Sequence, residues 1–260
     1  MSTSDFPLPN TSYDLSGRVA LVTGASTGLG RRFALTLAAA GASVVVTARR
    51  ADRLTELADE IGANGGICEP ITLDVTDAEQ VAAVVAQATE ALGNVDILVN
   101  NAGIPDAQRA HKMSLELTDA VLDTNVRGPW LLSNEVARRL IAAEAPGRIV
   151  NISSMSAFSY NGIGAALYSI SKAAIHRMTE VLAVEWARYH INVNCIAPGA
   201  FSSEMMDGML SRIGDITQGF PRKRLGDPAQ LDSTLLYLVS PASDFVTGTT
   251  IKVDDGQGGR

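Results

Sequence analysis

The sequence predicts an α/β fold: a single-domain, three-layer αβα sandwich built on a mostly parallel sheet of about seven strands. Three observations carry that prediction. Short β-branched runs alternate with longer segments of helical spacing, which is the rhythm of βαβ units. Runs such as VVV (44–46) and ILV (97–99) are apolar without alternation, as strands covered on both faces are. The 260 residues, 46% hydrophobic, suffice for one large core, and no linker, low-complexity segment or internal repeat divides them.

Taken in order, a polar N-terminal extension (1–14) precedes one domain over 15–260. Strands are expected at RVALVT (18–23), ASVVVTA (42–48), GICEPITL (66–73), NVDILVN (94–100), GRIVNIS (147–153), HINVNCIA (190–197) and GTTIKVD (248–254). Helical spacing marks Arg31 to Ala40, Arg53 to Ile61, Ala78 to Leu92 and Leu167 to Tyr189. After the extension, the only long stretch without a period is roughly 200–227.

Composition excludes several functions. Asp and Glu (28) outnumber Lys and Arg (21), and a net charge of -7 is the wrong sign for holding phosphate backbones, so no nucleic-acid partner is expected. Cys68 and Cys195 lie far apart with no ligand-spaced neighbours, so no metal site is expected and both read as reduced, structural thiols. His111, His176 and His190 stand alone and read as structural or surface residues. The start carries no basic segment followed by an apolar run, and no run approaches the ~18 apolar residues of a membrane span. A cytoplasmic protein without a membrane partner is the expectation by elimination.

The first strand ends in TGASTGLG, with Gly24, Gly28 and Gly30 spaced GxxxGxG before a helix. Such a turn lets backbone approach a pyrophosphate, which the free N–H groups and positive dipole end of the helix then hold. A tight turn alone is the plainer reading, but the strand-turn-helix setting favours a dinucleotide and hence a Rossmann-like sheet. From Arg31 to Ala51 there is no acid to bind ribose hydroxyls; the second strand ends TARR instead. Arg49 or Arg50 could pair with a 2′-phosphate, or the two could be a solvated pair opening the next helix. NADP(H) is therefore preferred, with NAD(H) still admissible.

In YSISK, Tyr168 and Lys172 fall on one helix face at i and i+4. An exposed contact of this kind contributes only ~0.2–0.5 kcal/mol. Bringing a phenol from ~10 to ~7 requires about 4 kcal/mol. Only a desolvated site with further positive charge, such as an oxidised nicotinamide, could supply the difference.

TGASTGLG, NNAG (100–103), Asn125 in DTNVRG, NISS, YSISK and APG (197–199), in this order, resemble the short-chain dehydrogenase/reductase family from Leu15 to the end. The resemblance implies that Tyr168 is the general acid/base and that Lys172 holds the nicotinamide ribose and lowers the Tyr168 pKa. It implies that Ser154 binds the substrate oxygen and that Asn125 anchors a proton-relay water. Gly24, Ser26, Thr27, Gly28, Leu29, Gly30 and Arg49 would bind the cofactor. Asp74 would receive the adenine amino group beside Val75, while Asn101, Ala102 and Gly103 line the cleft. Pro198, Gly199, Phe201 and Ser203 would shape the nicotinamide pocket, with the Phe201 backbone on the carboxamide.

Two departures stand out. Ser154 lies fourteen residues before Tyr168 where the family more often has thirteen, so Ser153 or Ser156 could serve instead. Ser203 stands where the family often has threonine. Met205, Met206, Met209, Leu210, Ile213 and Phe220 suggest a lid within 200–227 suited to an apolar or mixed substrate, or else ordinary packing of a short helix. The resemblance further implies a homotetramer or dimer formed through two long helices, near Asp119 to Ala143 and Leu167 to Tyr189. The function expected is hydride transfer between nicotinamide C4 and a small-molecule carbonyl or secondary alcohol. A non-catalytic dinucleotide sensor or scaffold, or a dehydratase or epimerase, is the alternative on the same fold.

Overall fold

The β-branched runs form the seven expected strands. They are β1 (Val19–Thr23), β2 (Ser43–Ala48), β3 (Cys68–Thr72), β4 (Ile97–Asn100), β5 (Gly147–Ile152), β6 (Ile191–Pro198) and β7 (Thr250–Val253). The structure, a computed structural model, describes residues 7–258 except 161 and 163, together with all side chains in that range but that of residue 213. All seven strands pair in parallel in one sheet, in the order β3-β2-β1-β4-β5-β6-β7. Pro70 falls in β3, where an edge position tolerates a residue without an N–H.

The helices are α1 (Gly28–Ala39), α2 (Ala51–Ala63), α3 (Ala78–Leu92), α4 (Leu115–Leu122), α5 (Gly128–Ala142), α6 (Ala166–Trp186), α7 (Glu204–Ile213) and α8 (Asp232–Val239). Because strand side chains alternate between faces, each strand feeds two cores. Ala20, Val22, Val44 and Val46 meet Phe33, Leu37, Leu54, Leu57 and Leu235 from α1, α2 and α8. Leu21, Val45, Leu98 and Ile149 meet Val84, Leu132, Val136, Ile175 and Leu182 from α3, α5 and α6. The unbroken apolar runs of the sequence are thus buried on both sides of the sheet.

One expected element is different. The long helix near 119–143 is two helices, α4 and α5, joined through a wider π-type turn at Asp123–Arg127. Pro129 has no N–H to return to the Asn125 carbonyl, so a regular i to i−4 ladder cannot run through this point. Asn125, 1% exposed, lies in that turn. Residues 7–14 of the N-terminal extension are exposed and form neither helix nor strand, and 1–6 lie outside the described residues.

Phe33 is fully buried between α1 and the sheet. Phe33→Ala is expected to lower unfolding free energy by about 3–5 kcal/mol through lost transfer energy and a residual cavity. Urea denaturation of the nucleotide-free protein measures it, and a loss under about 1 kcal/mol contradicts the packing described.

Candidate active site

The strand order reverses direction between β1 and β4, so the loops leaving their carboxyl ends diverge and leave a crevice. A cleft of about 1150 Å³ opens there. The glycine turn forms its floor. Gly24 has φ +65°, and a Cβ on it would stand 2.9 Å from the Ala102 Cα. A Cβ on Gly30 would stand 2.3 Å from the Gly24 carbonyl oxygen, so the turn closes only without side chains. Thr27, at the N-cap of α1, makes no side-chain cap bond, which leaves first-turn N–H groups facing the cleft without that partner. Thr23 locks this turn to NNAG: its Oγ1 accepts from the N–H of Asn101 and of Ala102, each at 3.0 Å. The Asn101 amide donates back to the Thr23 carbonyl at 2.9 Å and the Gly24 carbonyl at 3.2 Å.

At the end of β2 the two arginines separate. Arg50 Nη2 donates to Ser26 Oγ, Thr27 Oγ1 and Glu204 Oε2, each at 3.1 Å, bridging the glycine turn to the start of α7. Arg49 lines the cleft and has no ion-pair partner among the described residues. Asp74 also lines the cleft; its Oδ1 accepts from the Thr76 N–H at 3.0 Å and hydroxyl at 2.8 Å. Val75 packs against Gly128 at the start of α5. Leu29 and Gly28 line the same end, where Ser203 packs on Gly28.

Tyr168 and Lys172 face the other end of the cleft from the first turns of α6. Lys172 is 5% exposed; its Nζ donates to the Ile152 carbonyl at 2.9 Å and lies 5.7 Å from the Tyr168 ring centre. Burial pushes Lys172 down to about 8. Burial also pushes the Tyr168 phenol above its ordinary range; a hydrogen bond with the Ser154 hydroxyl opposes this, and the Asp106 carboxylate adds to it. The net direction for Tyr168 is thus upward, with desolvation the largest cause.

The neighbouring serines take different places. Ser153 is buried, its hydroxyl donating to the Lys172 carbonyl at 2.8 Å. Ser154, one step further along the extended backbone, meets the phenol and caps the turn Met155–Ala157 by accepting from the Ser156 N–H at 3.1 Å. Asn125 Oδ1 accepts from the Ile104 N–H at 2.8 Å, while its Nδ2 donates to the Ile104 carbonyl at 2.9 Å and Ser171 Oγ at 3.1 Å. Both amide hydrogens are used, and the loop after β4 is tied to the helix break and to α6. Gly103 lies beside Asn125 and Lys172.

Pro198, Gly199 and Phe201 line the cleft after β6, where Phe201 bridges to Gly226 and the Ala200 N–H donates to Gln257 at 2.6 Å. Ser203 caps α7 by accepting from the Met206 N–H at 3.2 Å. From α7 and the segment after it, Met205, Met206, Met209, Arg212 and Phe220 reach the cleft; Leu210 is not among its lining residues, and the Ile213 side chain lies outside the described residues. Sequence reasoning missed two participants, Arg212 and Asp106. Asp106 Oδ2 accepts from the N–H of Leu167 at 2.8 Å and of Tyr168 at 3.0 Å. No sequence signal marks a lone aspartate in a loop as the cap of a helix sixty residues away.

The uncapped start of α1, a glycine turn that excludes side chains, an unpaired arginine at one end and a buried ammonium at the other fit a nicotinamide dinucleotide. Comparison with known proteins agrees. The family model described as short chain dehydrogenase matches residues 18–213. A 2-dehydro-3-deoxy-D-gluconate 5-dehydrogenase of Dickeya dadantii (strain 3937) is 38% identical over 248 residues, covering 94% of this chain and 97% of that protein. The crystal structure of a short-chain type dehydrogenase/reductase from Mycobacterium marinum superposes with a TM-score of 0.91 at 40% identity, covering 94% of this chain and 97% of that one. A gluconate 5-dehydrogenase from Burkholderia cenocepacia J2315, solved in complex with NADP and tartrate, superposes with a TM-score of 0.89 at 32% identity, covering 96% and 98%. Likeness that runs through nearly the whole length in both sequence and structure settles the family: the chain belongs to the short-chain dehydrogenases/reductases and is an NAD(P)-dependent oxidoreductase of CH–OH and C=O groups.

Proposed function

We propose that this chain is an NADP(H)-preferring reductase in which Tyr168 gives a proton to the carbonyl oxygen of its substrate. The observation that carries the reading is the meeting of the Tyr168 and Ser154 hydroxyls beside the buried Lys172 ammonium. When bound, the nicotinamide supplies or accepts hydride at its C4. Ser154 orients the substrate oxygen, Tyr168 transfers the proton, and Lys172 holds ribose hydroxyls while its charge favours the phenolate left behind. One Oδ1 lone pair of Asn125 remains for a relay water. Ser26, Thr27, Leu29 and the three glycines cradle the pyrophosphate, and Asp74, Val75, Asn101 and Ala102 hold the adenosine side.

Arg49, unpaired at the adenosine end, is the residue we assign to a 2′-phosphate, because Arg50 is already held by Glu204 and the two hydroxyls. NADP in the Burkholderia relative supports this choice. At the substrate end, Ser156, Ser159, Tyr160 and the guanidinium of Arg212 suit a hydroxylated, carboxylate-bearing substrate, in line with the sugar-acid names of two relatives. The 200–227 segment acts as the lid over it. Trp130 on α5 and Ile170, Val181 and Val184 on α6 are exposed apolar side chains, which supports self-association through these helices.

Three outcomes test the reading. Arg49→Ala is expected to weaken NADPH about 10-fold or more, the scale of a charge-assisted bond, and NADH hardly at all. Fluorescence titration with both nucleotides decides; equal effects on the two reject the assignment. Tyr168→Phe should abolish nucleotide oxidation with a panel of keto acids and neutral ketones while retaining nucleotide binding, and retained turnover removes Tyr168 from the chemistry. Val184→Glu should reduce the mass found by sedimentation, so an unchanged mass moves the interface elsewhere.

A further inference from the structure

A helix start leaves backbone N–H groups that need acceptors, and α6 has no cap of its own: Ala165 precedes it and offers no side-chain oxygen. The acceptor arrives from another element. Asp106, in the loop after β4 and 2% exposed, takes the N–H groups of both Leu167 and Tyr168 on Oδ2. Its Oδ1 is buried and meets no hydrogen-bond donor of the described protein. A buried carboxylate committed through one oxygen only is a costly way to cap a helix. A serine cap, as Ser114 gives α4, would serve without charge.

The loop that carries Asp106 is held at three points. Asn125 clamps Ile104 on both its N–H and its carbonyl, two residues before. Asp106 itself grips the first turn of α6. Ala107, next in the chain at φ +51°, accepts from Arg212 of α7 on its carbonyl at 3.3 Å. The negative charge is therefore fixed against the backbone of the residue whose phenol meets Ser154. It also occupies the helix-terminal N–H groups whose positive field would otherwise favour a phenolate.

We propose that Asp106 is a positioning residue that clamps the start of α6 to the substrate-side loop and, by its fixed negative charge behind Tyr168, keeps that side chain a proton donor, biasing the site toward carbonyl reduction. The charged groups arranged around Tyr168 are Lys172 on its own helix and Asp106 on the loop after β4, with Arg212 on α7 and Asp123 at the α4–α5 junction lining the same cleft. Lys172 favours the phenolate and Asp106 the phenol, and the direction of the Tyr168 shift agrees with a contribution from Asp106. The proposal rests on Tyr168 being the proton donor.

Asp106→Asn separates the two halves, since an amide oxygen still caps α6 but carries no charge; Asp106→Ala removes both. Tyrosinate absorbance is titrated in the NADP⁺ complexes, with Tyr168→Phe subtracted to isolate Tyr168 from the other four of the 5 tyrosines. In Asp106→Asn the Tyr168 midpoint is expected to fall by roughly 0.5–1 pH unit, as removal of a nearby like charge requires. The alkaline loss of ketone reduction should move down with it. Amide hydrogen exchange at Leu167 and Tyr168 should stay slow in Asp106→Asn and rise at least 10-fold in Asp106→Ala, on the scale of a lost cap. An unmoved midpoint in a folded, nucleotide-binding Asp106→Asn overturns the proposal, as does unchanged exchange in Asp106→Ala. Turnover by Tyr168→Phe would instead overturn the reading beneath it.

Discussion

The reversal of strand order between β1 and β4 is the constraint on which the site depends. Two neighbouring parallel strands whose crossover helices go to opposite faces cannot have their outgoing loops packed together. Residues placed just beyond those strand ends therefore face one cleft, although they lie far apart in the chain. The parting is held at a fixed width by a few polar bonds. Thr23 at the end of β1 receives two N–H groups from the start of the loop after β4, and Asn101 returns its amide to the β1 backbone. One strand further, Asn100 donates to Asn151 at 2.9 Å, and Asn151 donates to Thr179 of α6 at 3.0 Å. This buried chain links the glycine turn to the helix that carries Tyr168, through contacts whose removal would leave donors without partners.

Lys172 shows how such a frame stabilises what would be unfavourable alone. A buried ammonium favours losing its proton, and here it is pushed down to about 8 yet remains largely charged near neutrality. Among the described residues its hydrogen-bond acceptor is the Ile152 carbonyl, at the carboxyl end of β5. The strand sets where the charge sits, since a carbonyl one residue along would point to the opposite side. The same alternation separates Ser153, which steadies α6 from below, from Ser154, which meets the phenol.

Most of the fold was legible in the sequence because buried parallel strands have no polar alternation to disguise them, and VVV and ILV could hardly be anything else. The sheet's two-sided core follows from the same feature. The α4–α5 break was not legible from periodicity, since apolar spacing continues across it; the bonds between Asn125 in the π-type turn and Ile104 come from another loop. Ordered motifs pointed to Tyr168, Lys172, Ser154 and Asn125, and the fold brings these four into one neighbourhood around the start of α6. Arg49 and Arg50 were inseparable as neighbours; what parts them is Glu204, which topology brings from 154 residues away. Asp106 was invisible for the same reason, its meaning lying wholly in the helix it reaches.

The sizes of the charges around Tyr168 limit what any one of them can do. Two unit charges some 6 Å apart interact by about 3 kcal/mol at an effective dielectric constant near 20, or roughly two pH units. Lys172, 5.7 Å from the ring centre, favours the phenolate, while burial favours the phenol. Asp106 pulls in the opposite sense from the helix start. Burial and Asp106 together favour the protonated phenol, against Lys172 and the Ser154 hydroxyl. Positive charge brought into the cleft beside the phenol would shift that balance toward the phenolate.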